Sequence, residues 1–266
     1  MSKPLILVSN DDGIDSHFLV LLAKALQKDF SVVVAAPLGE QSWIGRALSR
    51  YNQVHVSPHD GFGCPAWALD GTPADCANIA LAHLLPEKPI AVVSGINIGY
   101  NVSLTSILSS GTIAAAIEGA LWGLPAFAFS QQIPPERFEE MRQTHGRVSD
   151  SFGKAVELAA ERAKDFVLEK VNEPHKPLTV HNVNFPVGLA QETPIQETRP
   201  AVYENVSLFA QETATSYHFS HPDKPSIAKT QGTDIQTIQD GYISYTELDY
   251  SALAPMRRNE ETATLT

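Results

Sequence analysis

Short β-branched runs alternate with helix-forming segments through the first 130 residues, and no other feature constrains the fold as much. Leu5 to Ser9 reads as a strand, residues 17–28 as a helix rich in Leu, Ala and Lys, and Ser31 to Ala36 as a second strand. Together they make one βαβ unit, closed at Pro37. Asp75 to Leu85 then reads as a helix, Ile90 to Ser94 as a buried strand, Thr112 to Trp122 as a helix entered from Ser110-Gly111, and Ala126 to Ser130 as a further strand. Strands buried on both faces and separated by helices predict an α/β fold with a mostly parallel sheet and helices on both sides.

Beyond Gln131 the texture changes. Residues 151–171 form a long amphipathic helix through Phe152, Val156, Ala159, Ala163, Phe166 and Val167. Leu178 to Phe185 reads as one more strand, and residues 195–250 become Thr-, Gln- and Tyr-rich with β character, including Tyr242 to Leu248. The expected organisation is a core over 1–190, a β-rich arm over 191–254 and a frayed tail over 255–266.

The 266 residues carry 30 acidic against 19 basic side chains, a formal charge of −11. Such a balance repels a phosphate backbone and an anionic membrane surface, so neither a nucleic-acid polymer nor a membrane is expected as partner. The N-terminal apolar run stops at Ser9-Asn10-Asp11, too short for a signal-peptide core or a membrane span, and a cytoplasmic location is expected. Cys64 and Cys76 lack ligand spacing and are read as reduced structural thiols.

In an open parallel sheet, ligands bind outside the carboxyl ends of the strands. Three polar loops stand there: Asn10-Asp11-Asp12-Gly13, Gly39-Glu40-Gln41-Ser42, and Gly95-Ile96-Asn97-Ile98-Gly99-Tyr100-Asn101. Adjacent carboxylates repel, and a divalent cation removes that cost. Asp11, Asp12, the Ser42 hydroxyl and the Asn97 amide are hard donors suited to magnesium, manganese or calcium. Asp-Asp-Gly is equally the composition of a tight turn. Ser110, Gly111 and Thr112 feed an Ala-rich helix whose free amides suit a phosphate, although a plain N-cap accounts for the same residues.

These strings, in this order, resemble the SurE nucleotidases. Leu5-Ile-Leu-Val-Ser-Asn-Asp-Asp-Gly13 is similar to the family's opening strand and acidic motif, and Ala35-Ala-Pro-Leu-Gly-Glu-Gln-Ser42 to its serine loop. Leu69-Asp-Gly-Thr-Pro-Ala-Asp-Cys76, Val93 to Asn101, Ser110 to Ala116, Asn182-Val-Asn-Phe-Pro186 and Gly232 to Ser244 follow, so the resemblance runs from residue 5 to about 248. It implies a Rossmann-like three-layer αβα core with a C-terminal β-rich arm used in oligomerisation, as a homodimer or tetramer. It implies a 5′/3′-nucleotidase, with nucleoside monophosphates as substrates and short polyphosphate trimmed by some members. By the same resemblance Asp11, Asp12, Ser42 and Asn97 hold one divalent metal per subunit, magnesium or manganese, and Asn101, Ser110, Gly111 and Thr112 form the phosphate side. Asp11 and Asp12 are expected as the catalytic pair, and Thr233-Asp234 at the active-site rim of its own or a partner subunit.

Two loops depart from the family pattern: Ile14-Asp15-Ser16-His17 after the acidic motif and Trp43-Ile44-Gly45-Arg46-Ala47 after the metal serine. Trp43 offers a stacking face for a base and Arg46 a phosphate contact; packing of Trp43 and solvation of Arg46 are the alternatives. Asp70 and Asp75 are read as turn and cap residues, and the nine histidines as surface or packing residues. A haloacid-dehalogenase-like phosphatase fits poorly, because position 13 is Gly where a second Asp is needed. A catalytically silent nucleotide-binding protein on the same scaffold is the reading from another class.

Overall fold

The computed structural model describes residues 3–202, 207–220 and 231–253. From the N-terminus, β1 (Leu5–Ser9), α1 (His17–Leu26) and β2 (Ser31–Pro37) form the first crossover, followed by β3 (Val56–Pro58) and β4 (Ala66–Leu69). Helix α2 (Pro73–Ile79) leads to β5 (Ala91–Ile98), then α3 (Leu104–Ser109), α4 (Gly111–Leu121) and β6 (Ala126–Gln131). Helices α5 (Phe138–Thr144) and α6 (Ser151–Lys170) precede β7 (Thr179–Phe185). The remaining elements are β8 (Ile195–Glu197), β9 (Phe209–Gln211), β10 (Tyr217–Phe219), α7 (Asp234–Gln239) and β11 (Ile243–Asp249).

Among the described residues the main sheet has nine strands in the order β3-β4-β2-β1-β5-β6-β7-β11-β8. Strands β4, β2, β1, β5, β6 and β7 run parallel, while β3 is antiparallel to β4, and β11 is antiparallel to β7 and parallel to β8. Alternation sorts the side chains into layers. Ile6, Val8, Ala91 and Val93 pack under α1 and α6, whereas Leu7 and Val92 pack with Cys76 and Ala77 of α2 and Ala115 of α4 on the opposite face. This is the expected three-layer α/β architecture.

The chain leaves β1 toward β2 on one side and returns beside β1 as β5 on the other, so the strand order reverses between β1 and β5. That reversal opens a crevice at the carboxyl ends of these strands. Ser9 lies opposite Ser94 in the register, which sets Asp11 and Asn97 just beyond the same edge.

The expected helix from Asp75 begins two residues earlier, at Pro73, because Thr72 and Asp75 form a reciprocal capping box with Pro at the first position. Strands β3 and β4 and helices α3, α5 and α7 have no counterpart in the sequence reading; α7 interrupts the stretch read as β because Ile235 and Ile238, at helical spacing, bury together against Val102 and Ala201. Within the expected arm, β11 pairs with β7 and β8 with β11, so both extend the main sheet. Ile243 and Tyr245 alternate onto the α6 side and join its core, which accounts for that placement. The β9–β10 hairpin pairs only with itself among the described residues. The expected tail over 255–266 lies outside the described residues.

Candidate active site

Asp11 and Asp12 follow β1 directly and occupy the crevice. Asp11 is buried, and its backbone carbonyl accepts the Gln41 N–H at 2.8 Å, fastening the acidic loop to the serine loop. The Thr112 hydroxyl donates to Asp11 Oδ1 at 2.5 Å. Asp12 Oδ2 accepts the Ile98 N–H at 2.9 Å. Burial pushes both carboxyls above the usual carboxylate range; repulsion from Asp11 adds to the effect on Asp12, and Glu40 raises both. Gly13 supports the turn with φ of +97°, and a Cβ there would meet Gly39 at 3.1 Å.

Ser42 stands in the loop after β2 and donates to Glu40 Oε1 at 2.8 Å. Asn97 lies past a register shift in β5, and its Nδ2 donates to the Gly99 carbonyl at 3.0 Å, which leaves the amide oxygen as its coordinating end. Two carboxylates with a hydroxyl and an amide oxygen form a hard donor set that fits a magnesium, manganese or calcium ion. Among the described residues no group of three or more His, Cys, Asp and Glu side chains is placed to hold a metal.

Opposite the carboxylates stands the N-terminus of α4. Ser110 is its N-cap, with Oγ accepting the Ile113 N–H at 3.1 Å. The amides of Gly111 and Thr112, first in the helix, have no intrahelical acceptor. The Gly111 backbone comes so close to Asp11 that an added Cβ would meet Asp11 Cβ at 2.7 Å. Asn101 closes this wall by donating from Nδ2 to Ser130 Oγ at 2.9 Å and to Thr112 Oγ1 at 3.4 Å.

Several residues outside the expected set hold it in place. Asn101 is clamped through its backbone: its N–H donates to Asn184 Oδ1 at 2.7 Å, and its carbonyl accepts from Asn182 Nδ2 at 2.9 Å. Two buried amides at alternate positions of an apolar strand are a legible signal, because they share one face. Asp234, expected near the rim, is instead fully buried, because its carboxylate accepts the N–H groups of Ser103 at 2.7 Å and Ala201 at 2.9 Å; it supports the Asn101 loop from behind. Desolvation raises its pKa.

The departing loops behave in specific ways. Arg46 Nε donates to the buried carboxylate of Glu118 at 2.6 Å, which Asn78 Nδ2 also approaches at 3.0 Å. Arg46 remains partly solvent-exposed, as the solvated alternative has it, but its guanidinium is committed to Glu118 and ties the serine loop to α4. The Gly45 N–H adds a bond to the Ser109 carbonyl at 2.9 Å. Trp43 adopts φ of +60°, and its ring lies 4.9 Å from that of Phe219 in the hairpin. Asp70 accepts from the His55 N–H and ring, and Asp75 completes the helix cap, as read from sequence.

Beside Asp12 and Ser42 lies a cavity of about 230 Å³, bounded by Leu38 and Glu40 after β2 and by Phe138 and Arg142 of α5. His145, read as a surface or packing residue, also lines it. Nothing local in the sequence signals the α5 residues, since tertiary packing alone brings them to the crevice.

The Survival protein SurE family model matches residues 6–207. A 5′-nucleotidase SurE of Methanosarcina acetivorans is 31% identical over 98% of this chain and 97% of its own. One of Solidesulfovibrio magneticus is 36% identical over 92% and 91%. The crystal structure of the SurE protein from Aquifex aeolicus superposes with a TM-score of 0.70 at 28% identity, covering 92% of this chain and 93% of that one. With a family model spanning most of the chain, relatives matched nearly end to end and the same three-layer fold around the β1–β5 crevice, the chain belongs to the SurE family.

Proposed function

We propose that the chain is a metal-dependent phosphomonoesterase that hydrolyses nucleoside 5′- and 3′-monophosphates to nucleoside and phosphate. One observation carries this reading: the adjacent carboxylates Asp11 and Asp12 stand directly against the anion-binding N-terminus of α4, with Gly111 in contact range of Asp11. Carboxylates and a bound phosphate repel, so a site built from both calls for a cation between them. Asp11, Asp12, Ser42 and Asn97 would hold it. When bound, such an ion neutralises the carboxylates and polarises the phosphate and an attacking water. The relatives named 5′-nucleotidase support the nucleotide as substrate.

The protein's own groups divide the remaining work. The Gly111 and Thr112 amides, walled by Ser110 and Asn101, hold the equatorial phosphate oxygens and stabilise their charge in the transition state. Thr112 fixes Asp11 through its hydroxyl, and Ile98 fixes Asp12 through Oδ2. Asp12 Oδ1 is then positioned to take the proton of a water attacking in line with the leaving ribose oxygen. Assembly as a homodimer or tetramer belongs to the same reading, supported by the exposed Phe209 and Tyr217 of the hairpin outside the main sheet. Asp12→Asn should abolish turnover while leaving the circular dichroism spectrum unchanged; a fully active variant would overturn the assignment.

A further inference from the structure

We infer that the cavity between the β2 loop and α5 is the nucleoside subsite, with Phe138 as the stacking platform for the base. This rests on the phosphomonoesterase reading and adds to it where the leaving group sits. Asp12 and Ser42 line the cavity, whereas Asn101, Gly111 and Thr112 do not. The cavity therefore adjoins Asp12 and Ser42 without reaching the helix amides. A phosphate held by those amides directs its ester oxygen, and the sugar beyond it, into this space.

The walls suit a flat heteroaromatic ring. Leu38 and Phe138 are large apolar side chains, 62% and 51% exposed, presented from two separate elements to one cleft. Solvent-facing apolar groups gathered at a cleft mark a binding surface. Around them stand Glu40 and Asp15, which accept hydrogen bonds, and His145 and Arg142, the latter giving its Nε and Nη2 to Glu139 and keeping Nη1 to donate. That mixture meets the donors and acceptors on a base edge. At about 230 Å³ the space is below the ~300 Å³ at which pockets for drug-sized ligands begin, a size for one base and its sugar.

Helix α5 is braced to present these groups. Arg137 bonds Asp150 at the start of α6 at 2.8 Å, and the His145 carbonyl accepts the His17 N–H at the start of α1 at 2.8 Å. Every base has a π face, so a platform of this kind tolerates all of them, and base selectivity should be weak.

The test compares wild type, Phe138→Ala, Phe138→Leu and Phe138→Tyr, all metal-loaded and full length. AMP, GMP, CMP and UMP are the nucleotide substrates, and glycerol 3-phosphate is the substrate without a base. The ratio of kcat/KM for nucleotide to that for glycerol phosphate should fall about 5- to 100-fold in the Ala and Leu variants, through KM, and recover in Tyr. Adenosine binding to the metal-free protein, measured by calorimetry, should weaken in parallel. An unchanged ratio with unchanged adenosine binding would overturn the subsite. Wild-type turnover of glycerol phosphate without any nucleotide preference would also overturn it and leave the phosphatase standing. No turnover of any substrate would overturn both readings.

Discussion

Asp12 Oδ2 accepts the Ile98 N–H at 2.9 Å, joining the ends of β1 and β5 across the point where the strand order reverses. The contact gives the carboxylate one fixed orientation. It also couples the acidic motif to the loop that carries Asn97. The two halves of the proposed metal site are thus held by the sheet itself, and the helix N-terminus is brought to them by Thr112 and Gly111.

Thr112 should behave as a positioning residue. Thr112→Val keeps the shape and removes the hydroxyl that Asp11 Oδ1 accepts, leaving a buried acceptor short of a donor at a cost of about 1–3 kcal/mol. Loss of orientation at the reacting carboxylates is expected to lower kcat/KM by about 10- to 100-fold. Thr112→Ser should restore most of both losses. Steady-state kinetics with thermal melts checks this; a Val variant equal to wild type would remove the hydroxyl from the account.

The Arg46–Glu118 pair spans the serine loop and α4, with Glu118 buried. Arg46→Ala strands that carboxylate with Asn78 as its remaining partner and should destabilise the fold by about 1–3 kcal/mol, more than Glu118→Gln does. A loosened serine loop should also weaken metal binding. Denaturant titration compares the variants, and metal titration followed by calorimetry reads the second effect.

Stability should depend on pH through His181. Its Nδ1 lies 2.8 Å from the Tyr245 hydroxyl and its ring stacks 5.0 Å from Phe127, and this burial lowers its pKa to about 4. In the unfolded chain the imidazole titrates near 6.5, at about the ordinary value. Between these values the unfolded state binds the extra proton, so stability is complete above about pH 6.5 and is lost as the pH falls toward 4. His181→Phe should remove this component and flatten the melting temperature over the same window. An unaltered pH dependence in the variant would show that His181 does not contribute it.

How much was legible in the sequence follows from where the information sits. Strands such as Leu5 to Ser9 and Ser31 to Pro37 are continuous apolar runs because both faces of the sheet are covered, and that pattern is local. Asp11, Asp12, Ser42 and Asn97 sit at or just beyond strand ends, so fold topology alone directs attention to them. Arg46 could not be assigned from sequence, since its partner Glu118 is 72 residues away and becomes a neighbour only when α4 packs against the serine loop. Phe138 and Arg142 lie on a short helix whose place at the crevice depends on α1 and α6. The strands β8 and β11 read correctly as β structure, but pairing with β7, which places them in the main sheet, is a long-range property.

The most direct test of the central claim is phosphate release from a panel of nucleoside 5′- and 3′-monophosphates, measured on metal-stripped protein and again after manganese or magnesium is restored. The account predicts no release without metal and recovered release from several nucleotides with it. Nucleotide binding without phosphate release in the presence of either ion would contradict it and leave a silent nucleotide-binding scaffold.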